Sequence, residues 1–330
     1  MNIFLLILGL LVLIASGEIL VRSAAGIALK AAISPMIVGL TIVSIGTSAP
    51  ELFASLSAAI NGSPGLALGN VIGSNIANIT LVLGITALIY PIPVYRGMLY
   101  FDVSIMVGIS LLTILLGRDA YISRIDGIVL LLAIVAFTFT LIFRSTRAKR
   151  RAAEVAALAQ AQIADSSQPA ENEVKELAAY GTKGYPYLIG LVLFGCVGLY
   201  FGAEWFVGGA KGIAQSLEIS DYIIGVTVVA IGTSVPELVA SIIASLRRQT
   251  DISIGNLIGS NIFNLGLVLG TTATISPLDV DPNILSSDFW WMLGAAVLLF
   301  PLILTGFKIK RWEGALLIAC YGSYLFTTLK

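Results

Sequence analysis

The sequence predicts an all-α integral membrane protein, with ten transmembrane helices arranged as two five-helix repeats of inverted topology. Three observations indicate this fold class. Apolar residue types make up 57% of the 330 residues and charged types only 12%, about half the charged fraction of a typical soluble domain. The apolar residues form long runs, each close to the roughly 20 residues that a membrane-spanning helix needs. The two halves of the chain also match each other at a fixed offset of 186 residues.

Ten apolar runs account for the predicted spans. They cover residues 3–22, 34–60, 65–89, 98–117, 124–143, 186–208, 221–246, 252–275, 286–306 and 310–328. The second, third, seventh and eighth runs are rich in Gly, Ser, Thr and Asn, which favours helices that are broken or tightly packed. No basic region precedes the first run, so we expect a retained helix rather than a signal peptide.

The charged residues divide the chain into a first repeat at 1–143, a linker at 144–185 and a second repeat at 186–330. Twelve charges fall between Arg144 and Lys183. This segment begins with a cluster of basic residues and continues as an Ala, Glu and Gln stretch. The pattern favours a basic membrane edge followed by a solvated helix or a flexible linker.

The basic residues predict the orientation of the chain in the membrane. With ten spans, 15 of the 19 lysines and arginines lie on the side of the linker and four lie on the side of both termini. The positive-inside bias therefore places the linker in the cytoplasm and the termini outside. We expect a multi-pass protein of the plasma or inner cell membrane.

The internal repeat predicts the class of function. Residues 46–84 and 232–270 are identical at 21 of 39 positions without a gap. Because each copy holds five spans, an odd number, the second copy must cross the membrane in the opposite sense. Inverted repeats with interrupted helices at matching positions are typical of secondary transporters. Duplication that only builds a scaffold is the alternative, but it does not explain the polar residues inside the repeat.

Each repeat carries a glutamate deep in an apolar run, Glu51 in the first copy and Glu237 in the second. Carboxylates inside a membrane are costly and mark ion pathways. On a helix, each glutamate shares its face with mostly hydroxyl-bearing residues. The two faces hold Ser44, Thr47, Ser48 and Ser55, and Ala230, Thr233, Ser234 and Ser241. No Lys or Arg lies nearby in sequence, so each carboxylate must take up a proton or a metal ion.

A proline precedes each glutamate, Pro50 in the first copy and Pro236 in the second. A proline inside a helix cannot bond to the carbonyl four residues before it, which frees the carbonyls of Gly46 and Gly232. Carboxylates, hydroxyls and freed carbonyls are hard oxygen ligands that suit Na⁺ or Ca²⁺. The two glutamates supply two negative charges, which one Ca²⁺ would neutralise or two or three Na⁺ would share.

The next helix of each repeat carries a polar stripe with a spacing of four residues. The stripes consist of Asn70, Ser74 and Asn78, and of Asn256, Ser260 and Asn264. These amides and hydroxyls are expected to ligate ions or to hydrogen-bond the glutamates, with polar helix packing as the alternative. For Asn75 and Asn261, which lie about 100° from the stripes, packing is the better interpretation.

Other acidic residues repeat at the same offset, Glu18 with Glu204 and Asp102 with Asp288. Arg22 lies one helical turn from Glu18, which favours a structural role for this acid over a role in gating. Asp102 and Asp288 begin apolar runs, which favours helix caps.

Composition excludes several other functions. The formal net charge is zero, so the basic surface of a nucleic-acid-binding protein is missing. The chain has no histidine, which excludes a Ser-His-Asp triad and a histidine metal site. Cys196 and Cys320 lack zinc-site spacing and are expected to be plain core thiols. We expect no enzyme activity and no permanently bound cofactor; an intramembrane enzyme and a passive cation channel are the alternatives from other classes.

Two long motifs carry a family resemblance. G-T-S-x-P-E occurs at 46–51 and 232–237, each followed by G-N-x-x-G-S-N-x-x-N. The pair resembles the two alpha repeats of the sodium/calcium exchangers, within the cation/calcium exchanger superfamily, and the ten-span layout resembles the prokaryotic members along nearly the whole chain. The resemblance implies Na⁺/Ca²⁺ antiport by alternating access, with the first and sixth helices sliding past the other eight. We expect Ca²⁺ export driven by Na⁺ entry, from a monomer in a lipid bilayer.

The resemblance also implies four cation sites arranged as a diamond. The ligands of Ca²⁺ would be Glu51, Glu237, Thr47 and Thr233. One Na⁺ site would consist of Ser48, Ser74, Glu237 and the Ser44 carbonyl, and its mirror of Ser234, Ser260, Glu51 and the Ala230 carbonyl. Asn78 and Asn264 would face the middle of the diamond.

Asn264 departs from the family pattern, because some members have aspartate at this position. The loss of a carboxylate lowers the charge of the cluster and leaves the Na⁺ stoichiometry and the coupled ion open. Ca²⁺/H⁺ exchange, with the proton on Glu51 or Glu237, and K⁺-dependent exchange are the alternatives within the transporter class.

Overall fold

The described part of the chain is dominated by long helices. The computed structural model describes residues 1–159, 180, 182–217 and 232–328, with the backbone alone for 145–159. The helices in these ranges are α1 (Asn2–Ala31), α2 (Pro35–Thr47), α3 (Ala49–Ile60), α4 (Pro64–Ile89), α5 (Met98–Asp119), α6 (Arg124–Ala159), α7 (Tyr185–Ser216), α8 (Val235–Leu246), α9 (Thr250–Ile275), α10 (Ile284–Leu304) and α11 (Arg311–Thr328). Seven of these described helices are long and apolar enough to cross a membrane, and the bent pair α2–α3 makes an eighth.

The helices follow the predicted apolar runs, but three of them are markedly longer than predicted. Helix α7 ends at Ser216, eight residues past its predicted run. Helix α1 continues to Ala31, nine residues past the predicted run, and α6 continues to Ala159, into the segment predicted as a linker. The run at 34–60 is divided into α2 and α3, as its small and polar residues indicated. Only the second part of the run at 221–246 is seen as α8, because residues 218–231 lie outside the described part of the chain.

Four two-residue strands depart from the purely helical expectation. They are β1 (Ile92–Pro93), β2 (Tyr121–Ile122), β3 (Leu278–Asp279) and β4 (Lys308–Ile309). Strand β1 pairs with β4 and β2 pairs with β3, both antiparallel. Each pair forms a two-stranded ribbon that connects a loop of the first repeat to a loop of the second.

The two repeats have equivalent local structure at the same 186-residue offset that relates their sequences. Helices α3 and α8 begin and end at equivalent positions, and so do the first segments of α4 and α9. The turns that follow α3 and α8 place Gly62 and Arg248 at φ values of 77° and 54°. This left-handed region favours glycine, yet Arg248 adopts it in the second copy, so the turn is kept although the residue changes.

The buried apolar side chains form two clusters. The larger is built mainly by α4, α5, α6, α9, α10 and α11, and the smaller joins α1 and α7 to α2 and α8. The most apolar stretch of α9 is 94% buried, whereas those of α1 and α7 are only 28% and 33% buried. Helices α1 and α7 lie along each other, with Gly9 and Gly202 against the backbone of the opposite helix, and such small residues allow close approach. The α1–α7 pair is thus a separate layer beside the main core.

The ribbons give a test of the fold. In a variant without native cysteines, Tyr121→Cys with Asp279→Cys should form a disulfide under mild oxidation, because these residues are paired in β2 and β3. Paired residues in antiparallel strands have Cα atoms about 4.5–5.5 Å apart, within the range of a disulfide. After cleavage at a protease site inserted in 160–179, the two halves should stay linked on a non-reducing gel. Tyr121→Cys with Lys308→Cys, from different ribbons, is the control that should separate; separation of both pairs would contradict the fold.

Candidate cation-binding site

A break between two helices positions the first glutamate. Helix α2 ends at Thr47 and α3 begins at Ala49, with a bend of 41° between them. Ser48 lies at the break with φ −84° and ψ 4°. Pro50 is in the first turn of α3, where a missing N–H leaves no helical bond unmade. The proline therefore starts a new helix at this point, with Glu51 in the first turn of it.

The second copy repeats this geometry. Ser234 has φ −86° and ψ 2°, and Pro236 and Glu237 lie in the first turn of α8. The N-terminal end of a helix carries a partial positive charge from the aligned peptide dipoles, which favours a negative side chain. Each glutamate is therefore held at the helix end that stabilises its charge.

Both carboxyl groups are completely buried, with no exposed surface. Among the described residues, both oxygens of Glu51 and the Oε2 of Glu237 have no hydrogen-bond donor. The Oε1 of Glu237 accepts a bond of 3.3 Å from the Ser48 hydroxyl. The ion pairs found in the described ranges involve Glu18 and Asp102, so no Lys or Arg there neutralises either glutamate. Buried carboxylates with unused oxygens and no basic partner are suited to bind a cation.

Two threonines are held by asparagines of the opposite repeat. The Thr47 hydroxyl donates to Oδ1 of Asn256 at 3.1 Å, and the Thr233 hydroxyl donates to Oδ1 of Asn70 at 3.3 Å. Thr47 also lies 3.4 Å from the Ser260 hydroxyl. Because each bond crosses between repeats, the two halves of the site fix one another.

The same asparagines are anchored within their own repeats. The Asn70 amide donates to the Ser55 hydroxyl at 2.9 Å, and the Asn256 amide donates to the Ser241 hydroxyl at 3.2 Å. With nitrogen used in one bond and oxygen in the other, each amide has a single orientation. The sequence analysis placed both asparagines on the polar stripes but did not predict that they orient the threonines. The equal spacing from Ser55 to Asn70 and from Ser241 to Asn256 is the sequence signal for this role.

Asn78 and Asn264 are buried side chains whose amides have no partner in the described ranges. Both are fully buried, and neither amide has a hydrogen bond with any described residue. Each begins a π-helical turn, Asn78 in α4 and Asn264 in α9. Such turns shift the side-chain direction within a helix and are frequent at functional sites. Within the described residues, both amide oxygens are therefore free to accept a further contact.

The two glutamates and the threonine, asparagine and serine side chains bonded around them form one cluster. Among the described residues, the remaining predicted ligands are Ser234, Ser74 and Ser44. The Ser234 hydroxyl is buried and has no partner in this part of the chain, and the Ser74 hydroxyl donates to the Asn70 carbonyl of its own helix. The Ser44 carbonyl accepts the backbone N–H of Ser48 at 2.9 Å, and the Thr47 hydroxyl also lies 3.5 Å from it. Ala230 lies outside the described residues.

The profile of the family described as "Sodium/calcium exchanger protein" matches residues 1–143 and 187–330. The chain belongs to the sodium/calcium exchanger family. Its two matched segments include the break at Ser48, the helix start at Ser234 and both glutamates of the cluster.

Individual relatives match this exchanger over nearly its full length. The sodium/calcium exchanger MaX1 of Methanosarcina acetivorans is 32% identical over 347 residues, covering 98% of this chain and 97% of the relative. The inner membrane protein YrbG of Escherichia coli is 35% identical over 295 residues, covering 89% and 86%. A structure of the sodium-calcium exchanger NCX_Mj aligns with a TM-score of 0.79 at 31% identity, covering 100% and 99%. Sodium/potassium/calcium exchanger 1 of Gallus gallus gives a shorter match. It is 34% identical over 131 residues, covering 38% of this chain and 19% of the relative.

The other repeated acids of the exchanger lie outside the cluster. Asp102 is fully buried within a π-helical turn of α5, and one of its oxygens lies 3.6 Å from Nη1 of Arg144. Asp288 precedes an α-helical segment but makes no side-chain capping bond. The prediction that these two aspartates cap helices is therefore wrong, because π-turns extend both helices beyond them toward the N-terminus.

Asn256→Ala should lower the cation affinity of the exchanger by about tenfold or more, the size found when a residue that orients a ligand is lost. The reason is that Thr47 loses its acceptor and Ser241 loses its donor. The increase in melting temperature with rising Ca²⁺ concentration measures the affinity. Asn261→Ala is the matched control, because Asn261 is equally buried in the same helix and donates to the Leu257 carbonyl. Equal losses in both variants would contradict an orienting role for Asn256.

Proposed function

We propose that this exchanger moves Ca²⁺ and Na⁺ in opposite directions through the cluster around Glu51 and Glu237, and that it exports Ca²⁺ using the Na⁺ gradient. One observation carries the proposal. Two fully buried carboxylates, with no basic partner among the described residues, lie in a cluster of hydroxyl and amide groups from both repeats. The relatives named sodium/calcium exchangers, matched along the whole chain, support the choice of these two ions.

The charge of the cluster supports competition between the two ions. Two carboxylates carry two negative charges, which one Ca²⁺ neutralises. Calcium takes about six to eight oxygens at roughly 2.3–2.6 Å, and its ligands here would be Glu51, Glu237, Thr47 and Thr233. Several Na⁺ ions would neutralise the same charge. Because keeping the carboxylates charged and uncompensated is costly, occupancy by one kind of ion favours release of the other.

The Na⁺ ligands are proposed to flank the carboxylates. One site would use Ser48, Ser74, Glu237 and the Ser44 carbonyl, and the hydrogen bond from Ser48 to Glu237 supports this grouping. Its mirror would use Ser234, Ser260, Glu51 and the Ala230 carbonyl, and the buried, unpartnered Ser234 hydroxyl supports that one. Asn78 and Asn264 would face the space between them.

We also propose ten transmembrane spans in two inverted repeats. The eight spans found among the described helices would be completed by α11 and by α8 together with the residues before it. The ribbons support this layout, since ten spans place the loops of β1 and β4 on the linker side and those of β2 and β3 on the other. The linker is proposed to be cytoplasmic, the termini external and the monomer functional, in the plasma or inner cell membrane.

K⁺-dependent exchange is the second candidate. Two observations favour it: the match to a sodium/potassium/calcium exchanger over 131 residues, and the neutral, buried amide of Asn264 where some family members have aspartate. Fewer carboxylates mean that fewer monovalent ions are needed for neutrality, so the identity and number of coupled ions must be measured.

Glu51→Gln or Glu237→Gln should reduce exchange to background, because each substitution removes one of the two charges that a divalent ion needs. The measurement is ⁴⁵Ca²⁺ uptake into vesicles that are loaded with Na⁺ and contain the purified variant. Glu313→Gln is the matched control, since Glu313 is a fully buried glutamate that accepts bonds from Thr305 and Lys310 far from the cluster in sequence. Uptake at the normal rate in either cluster variant would exclude the proposed site.

Na⁺, K⁺, H⁺ and voltage gradients imposed on the same vesicles should separate the coupled ions. Uptake is expected to follow the Na⁺ gradient. If three Na⁺ oppose one Ca²⁺, one charge moves in each cycle and the driving force changes by about 2.3 kcal/mol per 100 mV. Uptake that does not respond to voltage would indicate two Na⁺, a requirement for K⁺ would favour the second candidate, and uptake that ignores Na⁺ but follows a pH gradient would overturn Na⁺ coupling.

A further inference from the structure

Glu18 is the centre of a charge network that joins α1 to the end of α8. Arg247, directly after α8, reaches both oxygens of this carboxylate, with Nη2 at 2.7 Å from Oε1 and Nε at 3.2 Å from Oε2. Arg22, one turn further along α1, also pairs with Oε1. Two arginines therefore share one glutamate, and one of them lies 229 residues away in sequence.

The equivalent position in the second repeat has no such network. Glu204 corresponds to Glu18, but the positions that correspond to Arg22 and Arg247 hold Gly208 and Asn61. Asn61 donates instead to the Ser57 hydroxyl. Glu204 is exposed and forms no ion pair with any residue in the described ranges. The equivalent positions therefore share the glutamate but not the two arginines.

The packing around Glu18 is also tighter than the packing around Glu204. Next to Glu18, α1 lies close against α8: a Cβ atom added to Gly17 would lie 2.7 Å from Cδ1 of Ile243. Next to Glu204, a cavity of about 680 Å³ separates α7 from α3 and reaches Pro50 and Thr233 at the cation cluster. A second, apolar cavity of about 800 Å³ lies nearer the N-terminal end of α7, between α7 and α2. One side of the molecule is closed by α1 and the equivalent side, by α7, is open.

We propose that Glu18, Arg22 and Arg247 form a latch that closes the linker side of the exchanger and must open once in each transport cycle. The latch acts by holding α1 against α8 while the cavity beside Glu204 gives access to the cluster from the opposite side. The proposal rests on the proposed exchange cycle, in which the cluster opens to each side in turn. Gly208 and Asn61 stand where the two arginines would be, so the opposite side closes without an equivalent pair of arginines on its glutamate.

The environment of the latch suits a bond that breaks repeatedly. The side chains of Glu18 and Arg247 are 25% and 41% exposed, so water replaces their contacts when they separate. Partly exposed pairs of this kind are weak, and loss of the latch should shift the equilibrium between the closed and open states by about two- to fivefold. A fully buried pair would hold one state too firmly for turnover.

Thiol labelling measures this equilibrium. Ile243 packs against Gly17 in the closed state, and its repeat counterpart Ser57 lines the cavity beside Glu204. In a background with Cys196→Ala and Cys320→Ala, Ile243→Cys should be labelled slowly and Ser57→Cys rapidly in purified protein without Na⁺ or Ca²⁺. The labelling rate of Ile243→Cys then reports how often α1 moves away from α8.

Glu18→Gln and Arg247→Gln should each raise the labelling rate of Ile243→Cys about two- to fivefold. The double variant should give no further increase, because two residues in one contact are not additive. Glu204→Gln is the matched control and should leave this rate unchanged. An unchanged rate in the Glu18 and Arg247 variants, additive increases, or the same increase in Glu204→Gln would overturn the latch. If Glu18→Gln does not fold, Arg247→Gln carries the same test alone.

The labelling result is independent of which ions are exchanged. Altered labelling together with no Na⁺-driven Ca²⁺ uptake would leave the latch in place and reject the proposed function. Normal uptake together with unaltered labelling would reject the latch and leave the proposed function in place.

Discussion

The rest of the structure depends on the burial of two carboxylates that have no basic partner in the described part of the chain. Glu51 and Glu237 are fully buried, and three of their four oxygens accept no bond from a described residue. Leaving a charge in such a place costs several kcal/mol, so the site is stable only with a cation or a proton. The helix ends and the oxygen-rich walls lower this cost without removing it. The balance gives a site that needs its ions and can still release them.

Equivalent residues of the two repeats form the site, and differences between the repeats distinguish one side of the molecule from the other. Ser48 and Ser234 have the same backbone conformation directly before a helix, and each helix start places an equivalent glutamate. The threonine–asparagine bonds cross between repeats in matching pairs. A perfectly symmetric molecule would have no reason to favour one side. The differences lie at the edges, where Arg247 binds Glu18 but Asn61 does not bind Glu204. A duplicated fold can therefore keep its ion chemistry while the two gates diverge.

The sequence was sufficient for features that depend on local pattern and insufficient for those that depend on distant contacts. The breaks near Pro50 and Pro236 and the buried glutamates follow from residue type and spacing. The π-turns at Asn78 and Asn264 have no comparable local signal, because packing against neighbouring helices sets them. The ribbons join loops that are far apart in the chain. Arg22 was found beside Glu18 by its one-turn spacing, whereas Arg247 lies 229 residues away and only the fold brings it there.

The most direct test of the account is anomalous diffraction from crystals soaked in Sr²⁺ as a substitute for Ca²⁺. The account predicts that the strongest anomalous peak lies between the two repeats, with carboxylate oxygens of both Glu51 and Glu237 at about 2.3–2.6 Å from the ion. Adding Na⁺ should weaken this peak as the monovalent ion takes the same oxygens. A strongest peak that contacts neither glutamate, or one that excess Na⁺ leaves unchanged, would contradict a shared carboxylate site.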